Sequence, residues 1–161
     1  QHYRDAKILT IYEGTTAIQA NDLVGRKTAR DGGSTAKAIA GQIEKTEHDL
    51  RANGSVDALA FAKRLGAARQ AFLDVVDFIV AQAASNPNAA YAGSVPYLML
   101  SGNLMAGWQM ARALLAAQNE LTAGHDAEFM QSKIATCRFT PITSCRVCPA
   151  CATASLKVPT V

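Results

Sequence analysis

Residues 56–84, VDALAFAKRLGAARQAFLDVVDFIVAQAA, decide the fold. Phe61, Leu65, Ala68, Phe72, Val75 and Ile79 recur every three or four residues, and no proline interrupts them. That spacing lays one apolar stripe along an α-helix. Just upstream, Asn53-Gly54-Ser55 supplies a helix stop and then an N-cap, so a second helix must end there. Ser34 is its N-cap candidate and it runs to about Ala52, with Ile39, Ile43 and Leu50 as a sparse stripe. Its other positions (Lys37, Gln42, Glu44, Lys45, Glu47 and Asp49) read as a solvated face.

Downstream, SNPNAAYAGS (85–94) reads as a loop. Ser94 caps a following helix whose first turn holds Pro96, where a missing N–H costs nothing. Leu98, Leu100, Leu104, Met105, Trp108, Leu114 and Leu115 make it apolar on most faces, so it should be the most buried element. Gly102, Ala106 and Gly107 leave room for close packing, and Met99 and Met110 also read as core. Gly124 ends this helix, and Asp126 opens a last one to about Phe139, with Phe129, Ile134 and Phe139 as core candidates. At the other end, residues 2–10 read as a short helical end broken by Glu13-Gly14. Thr15 or Thr16 caps a helix to about Arg30 with Ile18, Leu23 and Val24 inward, and RDGGS (30–34) is a linker. No strand pattern survives. The chain reads as all-α: an antiparallel bundle of about four helices over 34–139, preceded by a helix and loop, 1–30, that read as the end of another unit.

Composition agrees. The chain has 161 residues, 49% hydrophobic and 6% aromatic, with abundant alanine, the best helix former. A net charge of +3, without a basic stripe, gives no footprint for nucleic acid. No apolar run is long enough to span a membrane, and QHYRDAKILT is not a signal peptide. The opening residues look like the interior of a helix, so a fragment is expected.

One motif carries chemistry: YRDAKILTIYEGTTAIQ, Tyr3 to Gln19. It resembles the signature near the C-terminal end of the acyl-CoA dehydrogenase flavoprotein domain, where a helix ends in a Tyr-Glu-Gly-Thr loop before a final helix. Arg4, Asp5, Ala6 and Lys7 keep the family's spacing to Tyr12, Glu13, Gly14 and Thr15. NDLVGRK (21–27) and AGSVPYLMLSGNLMAGWQMARALL (92–115) resemble the larger bacterial members with an extra helical C-terminal domain. That group includes 3-methylthiopropionyl-CoA dehydrogenase-like enzymes, and the resemblance ends near Phe139.

The resemblance implies FAD as cofactor, an acyl-CoA substrate in fatty acid oxidation, electron-transfer flavoprotein or a similar acceptor, a homo-oligomer, and a cytoplasmic location. It makes Glu13 the base for the α-proton. A desolvated carboxylate has a raised pKa and is the better base, and Ile11 and Tyr12 give it an apolar setting. In the family the backbone N–H of this glutamate also polarises the thioester carbonyl, the β-hydrogen leaves as hydride, and the product is a trans-2-enoyl-CoA. Tyr12 and Gly14 fall at substrate-facing positions, Gly14 because a Cβ would intrude on the cleft. Thr15 falls at a FAD-contacting position, while Ala17 replaces a Gln or Glu of many relatives. The alternative is a helical oligomerisation or interaction module without catalysis of its own.

Other candidates are weaker. His2, His48 and His125 lack metal-ligand spacing and read as surface residues; no metal is expected. All four cysteines lie at 137, 145, 148 and 151. Cys-x-x-Cys-x-x-Cys resembles part of an iron–sulfur run, but a proline interrupts it and no histidine supports it. A third reading starts at Phe139. With one T restored after its codon, synonymous codons for FTPITSCRVCPACA spell FYADHVLPRVPGLR, a helix continuation of the relatives' kind. Residues 140–161 are then a frameshifted tail, irregular, poorly packed and metal-free, and Cys137 an ordinary helix residue. The gene sequence decides between these.

Overall fold

Ser55 fixes the centre of the molecule. Its side-chain oxygen accepts a hydrogen bond from the Ala58 N–H at 3.2 Å, starting the long helix where the apolar stripe begins. The computed structural model describes residues 1–10 and 15–139. Among them are α1 (His2–Ala6), α2 (Thr16–Asp22), α3 (Ser34–Asn53), α4 (Val56–Gln82), α5 (Pro87–Ala92), α6 (Ser94–Thr122) and α7 (Ala127–Phe139), and no strand.

α4 is the spine. Phe61, Leu65, Ala68, Phe72, Val75 and Ile79 are all buried, as their spacing requires. α3 packs back along α4 after the turn at Gly54, whose φ of 73° closes α3. α6 covers α4 and α3 from the other side, and α7 folds back onto α6 with Ile134 and Cys137 inward. The Arg138 guanidinium donates to Asp57 Oδ2 at 2.6 Å, tying the end of α7 to the start of α4. The Phe72 and Tyr97 rings stack 5.8 Å apart and join α4 to α6.

Several expectations fail for local reasons. Ser34 is exposed and does not cap α3. Asp31 does that work, its two oxygens accepting from the N–H groups of Gly33 at 3.0 Å and Thr35 at 2.9 Å. Gly33 sits at φ 77°, and a Cβ there would stand 2.7 Å from Val76 Cγ1, so the turn needs glycine twice over. The 85–94 segment is not all loop: Asn86 accepts from the Ala89 N–H and Pro87 stands in the first turn of α5. Ser94 lies inside α6, buried, rather than capping it.

α6 is also less enclosed than its apolar content suggested, and α4 carries more buried residues. Its face with Val95, Met99, Gly102 and Ala106 opens to solvent, so Met99 is not core and Gly102 and Ala106 mark no helix contact. Phe129 is half exposed because α7 turns Ile134 and Cys137 inward instead. Ile18, 67% exposed, lies opposite Ala20 and Val24, both fully buried. α2 continues without a break into a π-helical segment, Leu23–Ala29, closed by the Arg30 N–H donating to the Gly25 carbonyl, five residues back.

Candidate functional site

The loop marked by the sequence motif begins between two described segments. Tyr12, Glu13 and Gly14 lie outside the described residues. α1 and the 3₁₀ turn Lys7–Thr10 precede it in the chain, and Thr15, half-buried, is the N-cap residue of α2, with no side-chain cap bond. Both flanks leave some apolar side chains in solvent: Tyr3, Ile8 and Ile18 are exposed, as is Ala17. What holds the site's downstream arm is its other face. Ala20, Val24 and Thr28 point into the bundle and seat α2 and its π-helical continuation on α6. Thr28 and Tyr97 share a buried hydroxyl–hydroxyl hydrogen bond of 2.9 Å. Burial, only partly offset by the Thr28 contact, pushes the Tyr97 phenol above its ordinary range.

Beside that bond is a cavity of about 220 Å³ between the π-helical segment, α3, α4 and α6. Its walls are chiefly hydrocarbon and ring (Leu23, Ile39, Phe72, Tyr97 and Met105), with Lys27 and Thr35 at the exposed edge.

A second polar cluster lies between α3 and α4. Glu47 is 1% exposed and accepts from Arg69 Nε at 2.6 Å, with Arg51 3.6 Å away. Arg69 also reaches Glu44 at 3.2 Å. The hydrogen bond to Glu47 pushes the guanidinium further above its ordinary value. The reading of residues 44–49 as one solvated face therefore fails at Glu47: its partner is on the next helix, and Gly66 leaves room for its carboxylate. Next to it, the Trp108 indole donates to Thr46 Oγ1 at 2.8 Å.

His2, His48 and His125 are exposed, and His125 pairs with Glu120 at 2.8 Å. Among the described residues no group of three His, Cys, Asp or Glu side chains is placed to hold a metal ion. Cys137 is buried and unbonded, and burial pushes its thiol up. Cys145, Cys148, Cys151 and the tail reading lie outside the described residues. Among those described, no helix is long and apolar enough to cross a membrane.

Among the described residues the fold is an all-α bundle, with the short helices α1 and α2 ahead of it in the chain. Residues 36–140 match the family described as acetyl-CoA dehydrogenase C-terminal like. The chain is 58% identical over 136 residues to 3-methylmercaptopropionyl-CoA dehydrogenase of Ruegeria pomeroyi, covering 84% of this chain and 23% of that protein. It is 34% identical over 147 residues to the broad-specificity linear acyl-CoA dehydrogenase FadE5 of Mycobacterium tuberculosis, covering 86% and 24%. Butyryl-CoA dehydrogenase of Syntrophomonas wolfei is 34% identical over 140 residues, covering 84% and 22%. The chain thus spans about a quarter of the length of these relatives. No solved structure matches it. The chain belongs to the acyl-CoA dehydrogenase family, an oxidoreductase family, and carries its C-terminal-like helical domain.

Proposed function

We propose that this chain is the C-terminal part of a flavoprotein that dehydrogenates an acyl-CoA thioester to the trans-2-enoyl-CoA. The identity of 58% to 3-methylmercaptopropionyl-CoA dehydrogenase over 136 residues carries the reading. The names of the three relatives differ in the acyl group and share the thioester, so acyl-CoA is the substrate class.

Glu13 takes the α-proton onto its carboxylate as the thioester's Cα–H bond breaks. Its own N–H donates to the thioester carbonyl and stabilises the developing enolate. Tyr12 and Gly14 face the substrate, glycine because the acyl-CoA must come close to the backbone. Thr15 suits a polar contact with a cofactor: it is half-buried at the head of α2. The cavity of about 220 Å³ is too small and too apolar to hold a flavin dinucleotide, so the cofactor would lie on the Thr15 side of α2. When bound there, FAD supplies the two-electron acceptor for the β-hydrogen. A homo-oligomer and an electron-transfer flavoprotein or similar acceptor complete the proposal. Exposed Tyr3, Ile8 and Ile18 favour further protein covering both arms of the loop. By itself the 161-residue chain should therefore be colourless and inert.

Replacing Glu13 by Gln in the full-length protein tests the base. Flavin should remain bound, while its reduction by acyl-CoA falls by roughly a hundred- to ten-thousand-fold. A loss below about tenfold moves the base elsewhere. A yellow, reducible preparation of the 161 residues alone would overturn the division of labour. If the full-length protein holds no flavin that acyl-CoA can bleach, the interaction-module reading replaces this one.

A further inference from the structure

The cavity beneath the π-helical segment is lined by residues between Leu23 and Met105, and the proposed chemistry gives it no part. Its lining is uneven in a telling way. The inner wall is the stacked pair Phe72 and Tyr97, both almost fully buried, flanked by Leu23, Ile39 and Met105. The Thr28 and Tyr97 hydroxyls satisfy each other, so the interior offers few unmet polar groups. The edge carries Lys27, exposed and facing no carboxylate partner among the described residues. A dry wall with one cation at its rim fits a molecule with a hydrocarbon body and an anionic end.

Size narrows the class. A cavity of roughly 150 Å³ lined by aliphatic and aromatic side chains is enough for benzene. In proportion, about 220 Å³, open to solvent on one side, takes at most a body of roughly eight or nine carbons. The π-helical segment is the second observation. π-turns are uncommon and occur often at functional sites. Leu23, Lys27 and Thr28, three of the cavity's lining residues, come from this one, Leu23–Ala29.

We propose that this cavity binds a medium-chain alkyl carboxylate, its chain against Phe72, Tyr97 and Met105 and its carboxylate at Lys27. The site is additional to the acyl-CoA site and does not depend on it.

Photo-labelling of the full-length protein with a diazirine-bearing octanoate, mapped by mass spectrometry, tests this without relying on turnover. Label should appear on residues 23–28, 35–39 or 97–105, and excess octanoate should remove it. Lys27→Met should weaken labelling by the carboxylate about two- to fivefold, the range of an exposed ion pair. It should leave labelling by the matching diazirine-bearing octanol unchanged. Thr35→Trp, at the exposed rim, gives up the side-chain bond to Asp31 but keeps the backbone bond that caps α3, and should reduce both. Absence of label from these segments, or label there that is indifferent to Lys27→Met and Thr35→Trp, overturns the proposal. Circular dichroism of both variants checks that folding is retained. Because the readout is local, label confined to residues 12–15 would overturn this inference and leave the proposed chemistry standing.

Discussion

At the scale of the residue, Glu47 shows what a neighbour in space can do. Arg69 meets it at 2.6 Å and Arg51 at 3.6 Å. Removing Arg69 strands a carboxylate that is 1% exposed, whereas Arg51 is half exposed and makes the longer contact. Arg69→Ala should cost about 3 kcal/mol, near the low end for a broken buried pair because Arg51 remains. Arg51→Ala should cost less than about 1 kcal/mol. Urea titration of the two variants checks the order. Asp31 is a carboxylate of another kind, fully at the surface. Hydrogen bonds from Thr35, side chain first and then backbone, hold its pKa below the ordinary value. A group lowered in this way stabilises the fold above its unfolded pKa and loses that contribution as pH falls through the depressed folded value. Asp31→Asn keeps an acceptor but cannot titrate, so the acid limb of a stability–pH profile should flatten. A limb unchanged by Asp31→Asn would mean the cap contributes nothing that depends on charge. Neither carboxylate's role is legible in sequence. Glu47 stands among charged residues, and its partner is 22 positions away on the next helix; Asp31 caps from within a stretch that reads as linker.

At the scale of the element, legibility follows how many neighbours a helix face must satisfy. α4 meets α3 on one side and α6 on the other, so its stripe is continuous and its residues are placed correctly from spacing alone. α6 and α7 leave apolar side chains in solvent, so apolar character alone places Met99 and Phe129 on the wrong face. The π-helical segment LVGRKTA carries a glycine but no sequence signal that separates a π-helix from an α-helix, so the Thr28–Tyr97 bond and the cavity are not legible either. Tyr12, Glu13 and Gly14 are candidates through resemblance, not through hydrophobic periodicity. Glycines separate two helix interiors cleanly. A Cβ at Gly41 of α3 meets nothing within 4 Å, so Gly41→Ala should stabilise by about 0.8–1 kcal/mol. A Cβ at Gly66 of α4 would stand 2.9 Å from Glu47 Oε2, an atom held by the arginines. Gly66→Ala should lose that gain or reverse it. Melting curves that rise equally for both would show the carboxylate free to move aside.

At the scale of the whole molecule, Phe72 is where the parts converge. It lies mid-stripe on α4, stacks on Tyr97 of α6, and through Tyr97 is one hydrogen bond from Thr28. Phe72→Ala should cost about 3–5 kcal/mol and lower the melting temperature of the bundle as one transition. An unchanged melting temperature would deny this junction its importance. The same wall is shared by the bundle, the cavity and the seat of the loop's downstream arm, so damage there should spread to all three. At the far end of the bundle, Cys137 has a different consequence. Its thiol is 1% exposed and reluctant to ionise, and it is held down only while α7 lies against α6. An alkylating reagent can reach it once that helix lifts. The peptide bearing Cys137 is thus a clock written into the chain: the pace at which alkylation adds mass to it measures how often the last helix breathes, with no residue engineered for the purpose.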